Sequence, residues 1–234
     1  MKLSLRFIGL LLLSLLPQSS PAQNVLDKYR SAAVDRWEQE IEKLEELDKQ
    51  ESYPDDSILF IGSSSIRLWK TIEQDMRPYT AIRRGYGGAK FTDLAVFAER
   101  LIKPHSFKAL VVFVANDITG GENDTPMEDL HLLIRHTIAT GKTHQPDSPI
   151  FLIEITPTPS RFKAWPQIRK VNVMMRELAL TEPNIYFIAT AEHVLAADKQ
   201  PRASLFVEDR LHLNRDGYQL WTKLVKQRLD DFVK

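Results

Sequence analysis

Four short groups of polar residues, far apart in the chain, carry side chains suited to acyl-transfer chemistry. They are Gly-Ser-Ser-Ser at residues 62–65, Gly-Tyr-Gly-Gly at residues 85–88, Asn-Asp at residues 116–117 and Asp-Arg-Leu-His at residues 209–212. A serine hydroxyl is a weak nucleophile at neutral pH and needs an adjacent base, and the base needs a partner that fixes its tautomer. His212 is the candidate base, and Asp209, on the same predicted turn, could hold its ring.

The same groups offer donors for a carbonyl oxygen that becomes negative in a tetrahedral intermediate. The candidates are the backbone N–H groups of Ser64 and Gly88 and the side-chain amide of Asn116. A nucleophile, a base, a carboxylate and such donors are the parts that an acyl-transfer site needs. Taken singly, each group is more often a helix cap or a tight turn. Their combination is what favours catalysis.

These groups must be brought together by the elements between them. Apolar runs predict strands at residues 57–61, 79–82, 109–114, 150–155 and 184–188. Helical patterns follow at residues 66–76, 91–102, 127–140, 165–180 and 214–232, with Asn214 as the N-cap of the last. Strands alternating with helices predict βαβ units in a mostly parallel α/β sheet with helices on both faces. Ligands bind beyond the carboxyl ends of such strands, where all four groups fall.

The first 22 residues have the layout of a secretory leader. Lys2 and Arg6 precede an apolar run at residues 7–16, and the small residues Ser20 and Ala22 follow. A membrane-spanning helix needs roughly 20 apolar residues, about twice the length of this run, so an uncleaved anchor is the less favoured alternative. We therefore expect residues 1–22 to be a cleaved signal peptide. The mature protein would be secreted or periplasmic, without stable insertion into a membrane.

A single domain is expected after the leader. Apolar residues spaced by three or four predict a helix over residues 24–50, with Glu45 placed to pair with Lys49 on its charged face. This makes residues 23–54 a helical extension that packs onto the body, and residues 55–234 the catalytic domain. We find no internal repeat and no linker within those residues.

Composition excludes several classes of protein. The 234 residues contain no cysteine, so a disulfide scaffold, a thiolate metal site and a cysteine nucleophile are ruled out. The chain has 31 basic and 31 acidic side chains, a balance that argues against a nucleic-acid partner bound through bulk positive charge. The glycines at residues 85–88 do not form a phosphate loop, because no Gly-Lys-Ser/Thr follows them.

In this order, the four groups resemble the sequence blocks of the SGNH hydrolases, the GDSL-like lipase and esterase family. The likeness runs from about residue 57 to the C-terminus. It implies a three-layer α/β/α sandwich, flavodoxin-like, with about five parallel strands. It also implies Ser64 as nucleophile, Asp209 and His212 as the rest of a triad, and Ser64, Gly88 and Asn116 as oxyanion donors. No metal and no cofactor are implied.

Two positions depart from the family pattern. Ser63 stands where the family usually has aspartate, although Gly-Ser-Ser-Ser-Ile is similar to a variant subset. Val114 stands where the third block usually has glycine, and a larger residue there could tilt Asn116 or narrow the cleft. Arg161, in a loop similar to one near the site in that subset, and Tyr86 are candidate substrate contacts.

We therefore expect a secreted serine esterase that acts on short acyl esters, acetyl above all, of a small molecule or an oligosaccharide. One alternative is a lipase or thioesterase acting on longer acyl chains, which an apolar acyl channel would favour. A second is a non-catalytic carbohydrate-binding or peptide-binding protein with a degenerate oxyanion hole. A flavodoxin-like phosphate binder is disfavoured because the phosphate loop is missing. The sequence does not indicate an oligomeric state.

Overall fold

A single parallel sheet forms the centre of the computed structural model, which describes residues 20–233. Its strands are β1 (Ile58–Gly62), β2 (Ala81–Gly85), β3 (Ala109–Phe113), β4 (Ile150–Ile153) and β5 (Ile185–Ile188). They lie in the order β2-β1-β3-β4-β5, and every neighbouring pair is parallel. The predicted five-stranded parallel sheet is confirmed.

Helices cover both faces of the sheet, which gives the three layers expected. They are α1 (Pro21–Gln50), α2 (Ser64–Leu68), α3 (Ile72–Asp75), α4 (Phe91–Ile102), α5 (Met127–His144), α6 (Trp165–Thr181), α7 (Ala191–Val194) and α8 (Arg215–Phe232). Short 3₁₀ helices occur at Pro159–Ala164 and Ala203–Leu205. Asn214 caps α8 as predicted, because its Oδ1 accepts a hydrogen bond of 3.1 Å from the Gly217 N–H.

Alternate residues of each strand point into two separate apolar cores. In β1, Leu59 and Ile61 join the core beneath α1, α4, α5 and α6, whereas Ile58 and Phe60 join the core beneath α2, α3 and α8. All four side chains are fully buried. Burial on both faces explains why the strands other than β2 are continuous apolar runs rather than alternating ones.

Two elements differ from the sequence-based expectation. The helix predicted over residues 66–76 is broken into α2 and α3, because Trp69 turns into the second core and its indole N–H donates to Asp75 over 2.8 Å. Strand β2 lies two to three residues beyond the predicted span. The two arginines of β2 interrupt its apolar pattern, so the strand was not recognised in full, although the side chain of Arg84 is only 2% exposed.

Helix α1 packs along α4 and α5 as an integral part of the first core. It buries Leu26, Ala33 and Ile41, so the predicted packing of a leading helix onto the body is what the structure has. The predicted pairing of Glu45 with Lys49 is wrong. Lys49 pairs with Glu46, and Glu45 instead accepts from Arg100 of α4 at 2.7 Å, because the helix is docked against a neighbour.

The predicted leader lies almost wholly outside the described residues. Helix α1 begins at Pro21 with Ser20 as its N-cap, so its first two residues belong to the predicted residues 1–22. None of the helices between residues 20 and 233 combines the length and the apolar character that a bilayer crossing requires.

Candidate active site

Ser64 is presented by a turn that only glycine permits. Gly62 ends β1 with a φ of +137°, and a Cβ at that position would lie 1.9 Å from the carbonyl oxygen of Phe113 in the neighbouring strand. Ser63 follows, and its N–H donates to that same carbonyl at 2.9 Å. Ser64 is then the first residue of α2, directly beyond the carboxyl end of the strand.

The side chains of Ser64, His212 and Asp209 form one hydrogen-bonded chain. His212 Nε2 lies 2.9 Å from Ser64 Oγ, and His212 Nδ1 lies 2.6 Å from Asp209 Oδ2. The second oxygen of Asp209 accepts from the N–H groups of Leu211 and His212 at 2.8 and 2.9 Å. A base held between a hydroxyl and a carboxylate in this way can take the hydroxyl proton.

The turn around Asp209 favours its ionised form. Burial by itself would raise the pKa of this carboxyl, but the hydrogen bonds from the His212 ring and from the two backbone N–H groups outweigh it and lower the pKa below its ordinary value. An ionised Asp209 accepts a hydrogen bond from the N–H at Nδ1, which leaves the lone pair of Nε2 directed at Ser64. The carboxylate therefore selects the tautomer in which His212 acts as a base.

Asn116 lines the same cleft as Ser64, and Gly88 lies against Asn116. A Cβ built on Gly88 would lie 3.7 Å from Nδ2 of Asn116, which places the glycine turn against this amide. One hydrogen of that amide is used by the carbonyl of Ala89 at 3.0 Å, which orients the group and leaves its second hydrogen for a ligand. Ser64, at the start of α2, has a backbone N–H without an intrahelical partner.

Asp117 fixes the loop that carries Asn116. Its two oxygens accept from the N–H of Phe91, at the start of α4, and from the hydroxyl of Thr125, at 2.8 and 2.9 Å. Complete burial raises the pKa of Asp117 to about 6, because the hydrogen bonds only partly offset desolvation. This carboxyl therefore ties the Asn116 loop to the helix that follows the glycine turn.

Val114 does not occupy the cleft. It is 2% exposed and belongs to the core beneath α1, α4 and α5, whereas its neighbours Phe113 and Ala115 line the cleft. The alternation of side chains along the extended backbone turns it away from Ser64. The expected narrowing of the cleft by a residue larger than glycine is therefore absent.

The cleft above Ser64 is short and narrow, with a free volume of about 30 Å³. Arg161 lines it as predicted and donates through Nη1 to the carbonyl of Ala115 at 2.8 Å. Tyr86 does not reach it, and the prediction of a substrate contact there is wrong. That side chain is 1% exposed and packs edge-on against Trp37 of α1 and Phe97 of α4.

A second and larger opening lies on the other side of the segment that carries Arg161. Arg161 and Ile168 face the cleft, while Phe162 and Trp165 face this opening, which has a volume of about 700 Å³. We call it the basic groove, and it is lined by Phe162, Trp165 and Phe187 together with Arg169, Arg176 and Lys199. Trp165, Arg169 and Arg176 belong to α6, but the other three residues come from three separate segments, so the sequence did not predict the groove.

Comparisons with known proteins identify the family and the fold. The model of the GDSL-like lipase/acylhydrolase family matches residues 56–220. Similar solved structures include a Streptococcus pneumonia protein provisionally described as a platelet activating factor (21% identity, TM-score 0.72, 91% of this chain and 96% of that one). A GDSL-like lipase from Bacteroides thetaiotaomicron has 15% identity and a TM-score of 0.69, over 82% and 97% of the two chains.

An acetyl xylan esterase from Geobacillus stearothermophilus also has 15% identity, with a TM-score of 0.56 over 74% of this chain and 94% of that one. At these identities the structural likeness concerns the fold alone. No curated protein matches the sequence at a significant level.

Replacing Asp117 by asparagine should change how stability depends on pH. A carboxyl whose pKa is about 6 in the folded protein, against about 3.9 in an unfolded chain, stabilises the fold fully below about pH 4 and loses that contribution as the pH rises through about 6. The free energy of unfolding, measured in urea, should therefore change in favour of the variant relative to wild type by about 3 kcal/mol between pH 3 and pH 7. Asp147→Asn, at an exposed position, is the matched control. A stability difference for Asp117→Asn that is the same at pH 3 and at pH 7 would contradict the assignment.

Proposed function

As a member of the GDSL-like lipase/acylhydrolase family, this chain is a carboxylic ester hydrolase, and we propose that it removes short acyl groups through a Ser64-His212-Asp209 triad. The observation that carries the proposal is the unbroken hydrogen-bonded chain from Asp209 Oδ2 through the imidazole to Ser64 Oγ. A serine held in this way has both its base and the group that orients the base.

The reaction would run in two halves. Ser64 Oγ attacks the ester carbonyl while His212 Nε2 takes its proton, and the oxyanion is bound by the N–H groups of Ser64 and Gly88 and by the Asn116 amide. The alcohol leaves with the proton from the imidazolium, which gives an acyl-serine. Water, deprotonated by the same imidazole, then attacks the acyl carbonyl. The bond to Ser64 Oγ breaks, the imidazolium returns the proton to this oxygen, and the carboxylic acid is released. Asp209 stays ionised and stabilises the imidazolium in both halves.

The size of the cleft supports an acetyl or similarly short acyl group. Its volume of about 30 Å³ is far below the roughly 300–1,000 Å³ of pockets that enclose larger ligands. The walls around Ser64 include the buried side chains of Phe113, Ile155 and Trp221. This argues against the lipase or thioesterase alternative.

The basic groove supports a carbohydrate as the alcohol part of the ester. Aromatic rings offer stacking faces to sugars, and cationic side chains favour sugars that carry carboxylates. Three cations, Arg169, Arg176 and Lys199, face two carboxylates, and one of these, Glu154, is already bound by the N–H groups of Thr190 and Ala191. An acetyl xylan esterase has the same fold. With the leader-like residues 1–22, this favours action on acetylated, acidic oligosaccharides outside the cytoplasm.

Replacing Ser64 by alanine should abolish turnover of p-nitrophenyl acetate, lowering kcat by about 10⁴-fold or more, because no nucleophile remains. His212→Ala should do the same. Ser65→Ala, the next serine on α2, is the matched control and should stay within a few-fold of wild type. Labelling by a fluorophosphonate probe should follow the same order. The serine-esterase proposal fails if wild type neither turns over nor is labelled, or if Ser64→Ala is labelled equally.

The acyl preference should follow the size of the cleft. With p-nitrophenyl acetate, butyrate and octanoate, kcat/KM should fall by at least about tenfold from the shortest ester to the longest. Ile155→Ala removes most of one wall side chain and should raise the relative rate on butyrate. A rate that increases with chain length would support the lipase alternative instead.

Removing a cation from the basic groove should weaken the binding of acidic sugar substrates only. For an acetylated oligosaccharide that contains uronic acids, Arg169→Ala should raise KM about tenfold, equivalent to about 1.4 kcal/mol. Its kcat/KM for p-nitrophenyl acetate should not change. Lys170→Ala is the matched control, since this exposed neighbour on α6 does not line the groove. Equal effects of both variants would exclude the groove from substrate binding.

A further inference from the structure

Helix α1 ends before the family-matched segment begins at residue 56, yet it contacts the loop that carries Gly88 at three places. We propose that α1 positions the oxyanion loop and that Glu40 is its principal positioning residue, acting through Gly87 on the N–H of Gly88. The inference rests on the oxyanion role proposed for Gly88.

The first contact is a hydrogen bond from the loop backbone to α1. The Gly87 N–H donates to Oε2 of Glu40 at 3.0 Å, across 47 residues of sequence. The next N–H along the chain is that of Gly88. Since Glu40 fixes the peptide group before Gly87, it restricts the direction in which the following N–H points. The acceptor is held on a long helix, so its position is set by the core rather than by the loop.

The second contact is the indole ring of Trp37, one helical turn before Glu40. A Cβ built on Gly87 would lie 1.9 Å from Cζ3 of this ring, and Gly87 has a φ of +29°. The ring also packs edge-on against Tyr86, with centroids 5.6 Å apart. Trp37 therefore covers the loop so closely that only glycine fits beneath it, and it excludes other conformations of the turn.

The third contact holds the end of β2 that leads into the loop. Arg84 is 2% exposed, and its Nε and Nη2 donate to Asp48 Oδ1 and Glu51 Oε2 at 2.6 and 2.9 Å. A buried guanidinium needs such partners, because an uncompensated charge in the interior is strongly destabilising. The loop is thus tied to α1 at Arg84, at Tyr86 and at Gly87.

An oxyanion loop made of glycines needs an outside support of this kind. Three of the four residues at positions 85–88 are glycine, and each can adopt many backbone conformations. Oxyanion donors act only when they are preorganised, and a displacement of about 1 Å at a catalytic group can reduce the rate about 100-fold. Glu40 and Trp37 would supply the missing rigidity from a different part of the chain.

Three variants of the full chain test the positioning role. Glu40→Ala should lower kcat for p-nitrophenyl acetate by about 10- to 100-fold, with little change in KM, because the loss is felt in the transition state. Glu40→Gln keeps an oxygen that can accept from Gly87 and should restore kcat to within a few-fold of wild type. Glu45→Ala is the matched control, since it removes one of the two ion pairs of α1 with Arg100, keeps the one with Glu38, and leaves the loop untouched. It should lower Tm while kcat is preserved.

The outcomes separate this inference from the proposed function. If wild type turns over and Glu40→Ala loses no more kcat than Glu45→Ala, the positioning role of Glu40 is excluded while the esterase stands. The same holds if Glu40→Gln is as slow as Glu40→Ala at equal Tm. If wild type is inactive and is not labelled by the fluorophosphonate probe, the proposed function itself fails.

Discussion

Parallel pairing of β1 with both of its neighbours is the constraint on which the site depends. Gly62 lies in register with Gly85 on one side and with Phe113 on the other. Ser64 comes two residues after the first of these positions, and Gly88 and Asn116 come three residues after the other two. One hydrogen-bond register therefore brings the nucleophile and both neighbouring donors to one sheet edge, although 52 residues separate Ser64 from Asn116. The triad is completed by a segment that enters from the turn before α8.

Hydrogen bonds and ion pairs, as well as apolar contacts, join α1 to this edge. The buried guanidinium of Arg84 and the backbone N–H of Gly87 both find their acceptors on that helix. A helix attached only through apolar side chains could slide or rotate with little change in energy, whereas directional partners fix one arrangement. The glycine turn and the helix therefore form one structural unit, even though they are distant in sequence.

The sequence predicted the sheet and the pairing of Asp209 with His212 because both depend on local patterns, whereas the choice of Ser64 as nucleophile came from the resemblance to a family. Continuous apolar runs mark buried parallel strands, and the spacing of Asp209 and His212 places them on one turn. What it could not predict depends on tertiary partners. Tyrosine often contacts substrate, but in the fold the ring of Tyr86 is covered by Trp37. Glu45 pairs with Arg100 of α4 rather than with Lys49 of its own helix. The basic groove was not predicted because Trp165, Arg169 and Arg176 of α6 are joined there by Phe162, Phe187 and Lys199 from other parts of the chain.

The docking of α1 also has a consequence for the order of folding. The helix is made first, but the surfaces that receive it, α4 and α5, are completed only with residues 127–144. Until then its apolar face has no partner, and the glycine turn has no support. Chains that have formed most of their sheet would still lack a rigid oxyanion loop. Formation of the sheet would therefore not be sufficient for hydrolytic activity, which also requires α1 to be docked.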